Sequence, residues 1–177
     1  MNLNSFLDLG MDLIVNNRNL YVGIEYAEKN GYNYGKDMFV SLFAAFPRVP
    51  VLVADLLFDA TPRELSSGYI ITTEALGPNP SWGLGANLIA DIYMNFGLIG
   101  IIILMFILGL IIRKLQLSLI EGSSVLNLVV YLFLLSFSLY LPRSAYLTPL
   151  RFVLWAIIIY YLVKATVITI IAAEAGR

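Results

Sequence analysis

The chain contains no cysteine and no histidine. That absence removes thiol nucleophiles, disulfides, Cys/His metal sites, Ser-His-Asp triads and histidine pH switches together. Charge is scarce too: Asp, Glu, Lys and Arg make up 13% of the 177 residues, and the net charge is −1. A soluble domain of this length keeps roughly 25% charged residues. There is no basic field to attract nucleic acid, so no such partner is expected. Any chemistry must rest on carboxylates, Arg, Lys, Tyr or amides. What is present instead is apolar mass, with 59% hydrophobic residues and a mean hydropathy of +0.82. The composition predicts a polytopic, all-α membrane protein with some polar mass outside the bilayer. The opening run MNLNSFLDLGMDLIVNNRNLY does not read as a signal peptide, because it lacks a basic start and Asp8 and Asp12 interrupt it.

About 20 apolar residues are needed to cross roughly 30 Å of hydrocarbon. Three segments qualify, at about 96–112, 124–141 and 150–171. The expected organisation is therefore an extracytoplasmic loop region over 1–83, with short membrane-surface helices, and a transmembrane region over 84–177. Arg113 and Lys114, with Lys164 and Arg177, outweigh Arg143 and Arg151, which puts the 113–123 loop and the C-terminus on the cytoplasmic side. Some ninety residues would then be translocated with no export signal ahead of them. The simplest resolution is that the chain is the C-terminal piece of a longer multi-span protein.

Residues 37–58 form a further apolar stretch, broken by Pro47 and Pro50 with Arg48 between them. A span here would bury Arg48 at a cost of at least ~3 kcal/mol at the bilayer centre. Two short helices meeting at the prolines are expected instead, lying at the membrane surface or under neighbouring spans. Thr61-Pro62-Arg63-Glu64 matches a capped helix start. Residues 66–83, rich in Ser, Gly, Pro and Asn, read as a loop, and NGYNYG at 30–35 as a turn.

The unusual segment is 81–114, SWGLGANLIADIYMNFGLIGIIILMFILGLIIRK. Asn87, Asp91 and Asn95 recur every fourth residue ahead of an uninterrupted apolar run, and at helical spacing they form one stripe. A straight helix over about 85–112 is about 42 Å long, more than the hydrocarbon thickness, so the stripe is expected to project beyond it and stay wet. Two readings follow: plain solvation of a helix end, with Asp91 favoured near the positive N-terminus, or the lining of a polar cavity at the interface. Gly83 and Gly85 ahead of the helix either permit a tight turn or help its N-terminus to hold an anion such as pyrophosphate.

Arginine is the side chain suited to bidentate phosphate recognition. Arg48 and Arg143 each stand beside a proline in apolar surroundings, and either binds phosphate or anchors the chain at lipid head groups. Arg18, in the outer region, is a further candidate. Tyr21 and neighbouring tyrosines could stack on sugar rings.

The segment GLGANLIADIYMNFGLIGIIILMFILGLIIRKL, with its N-x-x-A-[DE]-x-Y-x-N-F-G pattern, resembles the hallmark of the oligosaccharide repeat-unit polymerases, the Wzy-type O-antigen and capsule polymerases of bacteria. NNRNLYVGIEYAEKNGYNYGKDMFVSLFAAFPRVP is similar to their large outer loop, and LYLPRSAYLTPLRFVLW to their last outer loop and final span. The resemblance is to their C-terminal portion. It implies glycosyl transfer at the outer face of the cytoplasmic membrane, from an undecaprenyl-pyrophosphate carrier onto a lipid-linked repeat unit, without metal, nucleotide sugar or other cofactor. Membrane lipids, a chain-length regulator and a flippase are the implied partners. On this resemblance Arg48 and Arg143 would meet the pyrophosphate, with Arg18 next. Asp91 would take the acceptor proton, Asn87 and Asn95 would position substrate, and Glu74 would be a reserve base. An O-antigen ligase-like transferase, or a non-catalytic membrane subunit or transporter piece, is the alternative.

Overall fold

A computed structural model describes residues 3–120, 122 and 125–175, and all regular structure among them is helical. The chain opens with a long helix, α1 (Leu3–Asn30), where loop and surface helices were expected. Gly31, at φ 83°, ends it and returns its N–H to the Ala27 carbonyl. The NGYNYG segment is the turn its composition predicts, with Gly31, Tyr34 and Gly35 all at positive φ.

The 37–58 stretch resolves as expected into two short helices, α2 (Lys36–Leu42) and α3 (Val49–Phe58), separated by the proline-containing turn. Val51, Leu52, Leu56 and Leu57 of α3 are exposed, an apolar face suited to a membrane surface. The capping box is present at α4 (Pro62–Leu65): the Glu64 amide donates to Thr61 Oγ1, and the Thr61 amide donates to the Glu64 carboxylate. The expected loop at 66–83 is half helix. Ser66 caps α5 (Ser67–Leu76) by accepting the Tyr69 amide, so the serines that looked like loop composition are a helix start.

The next helix, α6 (Leu88–Ile120), is broken at Gly97, whose φ of 66° and ψ of −159° are not helical. Only glycine takes that geometry easily, and a Cβ there would also lie 2.8 Å from the Tyr32 hydroxyl. The carbonyls at the end of the first segment are taken up by the turn: Asn33 N–H donates to Met94 O and Tyr34 N–H to Asn95 O. Residues 88–95 then pack inside the protein, while Phe96 is exposed. Ala27, Ile70, Ile71, Ala90 and Met94 form a core joining α1, α5 and α6. Gly23 lets α1 come close, since a Cβ there would lie 2.7 Å from that of Ala90.

Two helices are long and apolar enough to cross a membrane, Leu88–Ile120 and Thr148–Val167, the latter within α8 (Thr148–Ala175). The second expected span is a shorter helix, α7 (Val125–Phe137). Its 13 residues reach about 20 Å at 1.5 Å each, short of the hydrocarbon thickness. A turn and the 3-10 segment Leu141–Arg143 follow it, where the chain bends into Pro142.

Candidate functional site

A cavity of about 350 Å³ opens between α2, the α4–α5 junction, the approach to α6 and the connection that leads into α8, with Pro50 of α3 also on its wall. Asp37 comes from α2, Ser66 and Ser67 from the α4–α5 junction, and Gly85 from the approach to α6; Tyr140, Arg143, Ser144 and Thr148 come from the connection between α7 and α8. The 3-10 segment presents Arg143 beside Pro142, which fixes φ at the bend. One guanidinium, one carboxyl and several hydroxyls thus share the wall, a donor-rich lining for an anionic, hydroxylated ligand.

Asp37 is 7% exposed, and its Oδ1 accepts the Met38 amide at 2.7 Å. Burial, and then the Asp91 carboxyl beside it, push its pKa from 3.8 up to about 8, so Asp37 holds a proton at neutral pH. Behind it Asp91 is 1% exposed. Asp91 Oδ2 accepts the Tyr146 amide at 2.8 Å, while Oδ1 completes no hydrogen bond among the described residues. Ser67 Oγ, close enough to act on the Asp91 carboxyl, also completes none.

The polar stripe is therefore not the wet helix end that its spacing and length implied. Asn87, Asp91 and Asn95 are all buried. A straight helix would carry the stripe beyond the hydrocarbon, but the break at Gly97 redirects the chain. Asn87 caps α6, its Oδ1 accepting the amides of Ile89 and Ala90 while its Nδ2 reaches Asn16. Those amides are consequently not open to an anion behind Gly83 and Gly85. Asn95 donates to Asp91 O and accepts the Gly35 amide at 3.0 Å. Both asparagines hold the scaffold, Asn95 also lines a separate, mostly apolar cavity beside Tyr32 and Phe96, and Asp91 lies behind Asp37.

The remaining expected residues are dispersed. Arg143 lines the cavity. Arg48 precedes α3 in left-handed conformation with its side chain exposed, two residues before Pro50 of the cavity wall. Arg18 donates to the Ala75 carbonyl at 3.0 Å, at the C-terminal end of α5, where a cation complements unpaired carbonyls. Tyr21 is exposed on α1 and lines neither this cavity nor the adjoining one. Glu74 is exposed on α5 and acts electrostatically on Tyr26 and Lys29.

Sequence reasoning missed Asp37 and Asn19. Asn19 Nδ2 donates to the Leu84 carbonyl at 3.1 Å and holds the strand of chain leading to Gly85. No local signal marks either residue; only their tertiary burial does. An adjoining cavity of about 420 Å³ shares Gly68 and Gly85 with the first and is lined by Arg63, Tyr69, Thr72 and Trp82. The Arg63 guanidinium stacks 4.9 Å from the centre of the Tyr69 ring.

A protein-family model described as O-antigen polysaccharide polymerase Wzy matches residues 69–174. That range runs from α5 through α8 and includes Asp91 and Arg143, while Asp37, Arg48 and Arg18 precede it. No curated protein and no solved structure gives a match. The matched range is more than half of the chain, and it contains the two long apolar helices together with the connection that carries Arg143. The chain is a membrane protein belonging to the O-antigen polysaccharide polymerase Wzy family.

Proposed function

We propose that the chain joins undecaprenyl-pyrophosphate-linked oligosaccharide repeat units into O-antigen or capsular polysaccharide at the outer face of the bacterial cytoplasmic membrane. The single observation that carries this reading is the cavity whose wall carries Arg143, Asp37 and several hydroxyls, within a chain of the Wzy family. A pyrophosphate leaving group develops charge as the glycosidic carbon departs, and a guanidinium fixed on the cavity wall stabilises it. Ser66, Ser144 and Thr148 hydroxyls are suited to hydrogen-bond sugar or phosphate oxygens. The adjoining cavity, with Trp82 and the Arg63–Tyr69 stack, offers flat surfaces on which sugar rings can lie. Arg48 stands near enough to the wall to meet a second phosphate or a lipid head group. The carrier's hydrocarbon tail would lie among the lipids that cover the exposed leucines, isoleucines and Phe106 of residues 98–120. A flippase would deliver the repeat units, and a chain-length regulator would act on the growing product.

Arg143→Ala in the full-length polymerase is the direct test, read as the glycan ladder of cells that depend on it. The expected outcome is loss of the ladder with single repeat units still attached to the lipid acceptor, and partial recovery with Arg143→Lys. Polymer accumulating on its carrier would instead indicate ligase-like transfer. An unchanged ladder would remove Arg143 from the reaction and with it this reading of the cavity.

A further inference from the structure

The cavity contains a carboxyl that the expected arginine chemistry does not use. Asp37 is on the wall, and directly behind it lies the buried carboxyl of Asp91 with one oxygen unpartnered among the described residues. Two adjacent carboxyls removed from water cannot both keep a negative charge at modest cost, so such a pair retains a proton between its members. A proton on Asp37 can be donated to the Asp91 carboxyl, which the Ser67 hydroxyl also neighbours. The far side of Asp91 is fixed by the Tyr146 amide, and Asn95 acts on Asp37 from the next turn of the same helix. The pair is thus held from α2, α6 and the Arg143-bearing connection at once, with only Asp37 reaching the open space.

We propose that Asp37 is the proton acceptor for the incoming sugar hydroxyl in this cavity, and that Asp91 is the positioning residue that receives the proton Asp37 already holds. The proposal rests on the glycosyl-transfer reading above. In the step, the acceptor oxygen forms a bond to the anomeric carbon of the donor glycan. The bond from that carbon to the pyrophosphate oxygen breaks, and the pyrophosphate leaves with the electron pair towards Arg143. The acceptor hydroxyl proton passes to Asp37 while the Asp37 proton passes to Asp91. The pair moves from one proton and one negative charge to two protons and none. One proton then returns to water through the cavity before the next cycle. Asp91 and Asn95 act on Asp37 from α6, and the cavity wall it shares carries Ser66 and Ser67 from the α4–α5 junction, Pro50 from α3, and Tyr140 and Arg143 from the connection between α7 and α8.

The experiment uses full-length polymerase in liposomes with lipid-linked repeat units, measuring rate against pH and donor concentration. Asp37→Asn should lower kcat by about 100-fold or more, the usual worth of general-base assistance, with KM for the donor changed less than about threefold. Asp37→Ser should be partly restored by added formate, and this arm decides the matter if the asparagine variant does not accumulate. Asp91→Asn should move the pH inflection set by Asp37 downwards by about one unit or more, because a neighbouring charge has gone; an unmoved inflection would deny Asp91 its role. Retention of a third or more of kcat in Asp37→Asn, or no response of Asp37→Ser to formate, would overturn the proposal. If Arg143→Ala is inactive in the same assay, the cavity reading survives that failure; if Arg143→Ala is also active, both fall.

Discussion

The two parts of α6 share one helix label and opposite environments. Residues 88–96 carry Asp91 and Asn95, both buried and bonded to α1–α2 turn and Arg143-connection groups. Residues 98–112 carry an unbroken apolar run, much of it exposed, which Arg113 and Lys114 close. Polar side chains lie inside and apolar ones outside, the reverse of a water-soluble helix pair, and Gly97 is the junction. A bilayer rewards apolar exposure, whereas a polar group removed from water must find a protein partner. The upper part is therefore held by specific bonds and the lower part by its solvent.

That contrast can be broken most severely at the junction. Gly97→Val places a β-branched residue at positive φ and its Cβ against Tyr32. The expected cost is more than about 2 kcal/mol, visible as loss of monodisperse protein in size-exclusion chromatography after detergent extraction. Next comes pH. The fold raises Asp37 from 3.8 to about 8, so folding favours its protonated form. Its contribution is fully present below about pH 4 and is lost as pH rises through about 8. Thermal unfolding in detergent should fall by several degrees between pH 5 and pH 9, and Asp37→Asn should flatten that slope. Smallest is a matched pair, one substitution in each part. Asn95→Leu leaves the Gly35 amide without its acceptor and should cost about 1–3 kcal/mol. Ile103→Leu, on the exposed lower surface, should change stability by less than about 0.5 kcal/mol. Equal effects from the two would mean that the parts do not differ as described.

Several features were legible because their causes are local. Pro47 lies in the turn between α2 and α3, Pro50 sits in the first turn of α3, and Thr61 with Glu64 makes the capping box, through chemistry confined to a few residues. The i, i+4 spacing of Asn87, Asp91 and Asn95 correctly marked one helix face. What that face meets was not legible, because Asn16, Gly35 and Tyr146 lie far along the chain. Asp37 carries no local mark beyond its place in the first turn of α2, and its importance comes from burial and the carboxyl that packs behind it. Arg143 was recognisable as a cation beside a proline. Arg18 was equally cationic but engages a carbonyl, a distinction that only the position of α5 makes. The length of α7 was misread because Ser138 to Tyr140 continue its apolar composition while the backbone has already turned.

Tyr146 touches both parts of α6. Its amide donates to Asp91 above Gly97, and its hydroxyl donates to the Leu104 carbonyl below, at 2.7 Å. One residue therefore works as a strut across the joint, three positions after Arg143. Any swing of the membrane-embedded rod relative to the buried cap must stretch one end of that strut or drag the arginine's connection with it. The bilayer-facing helix and the guanidinium are thus mechanically linked, although Leu104 and Arg143 lie 39 positions apart in the chain.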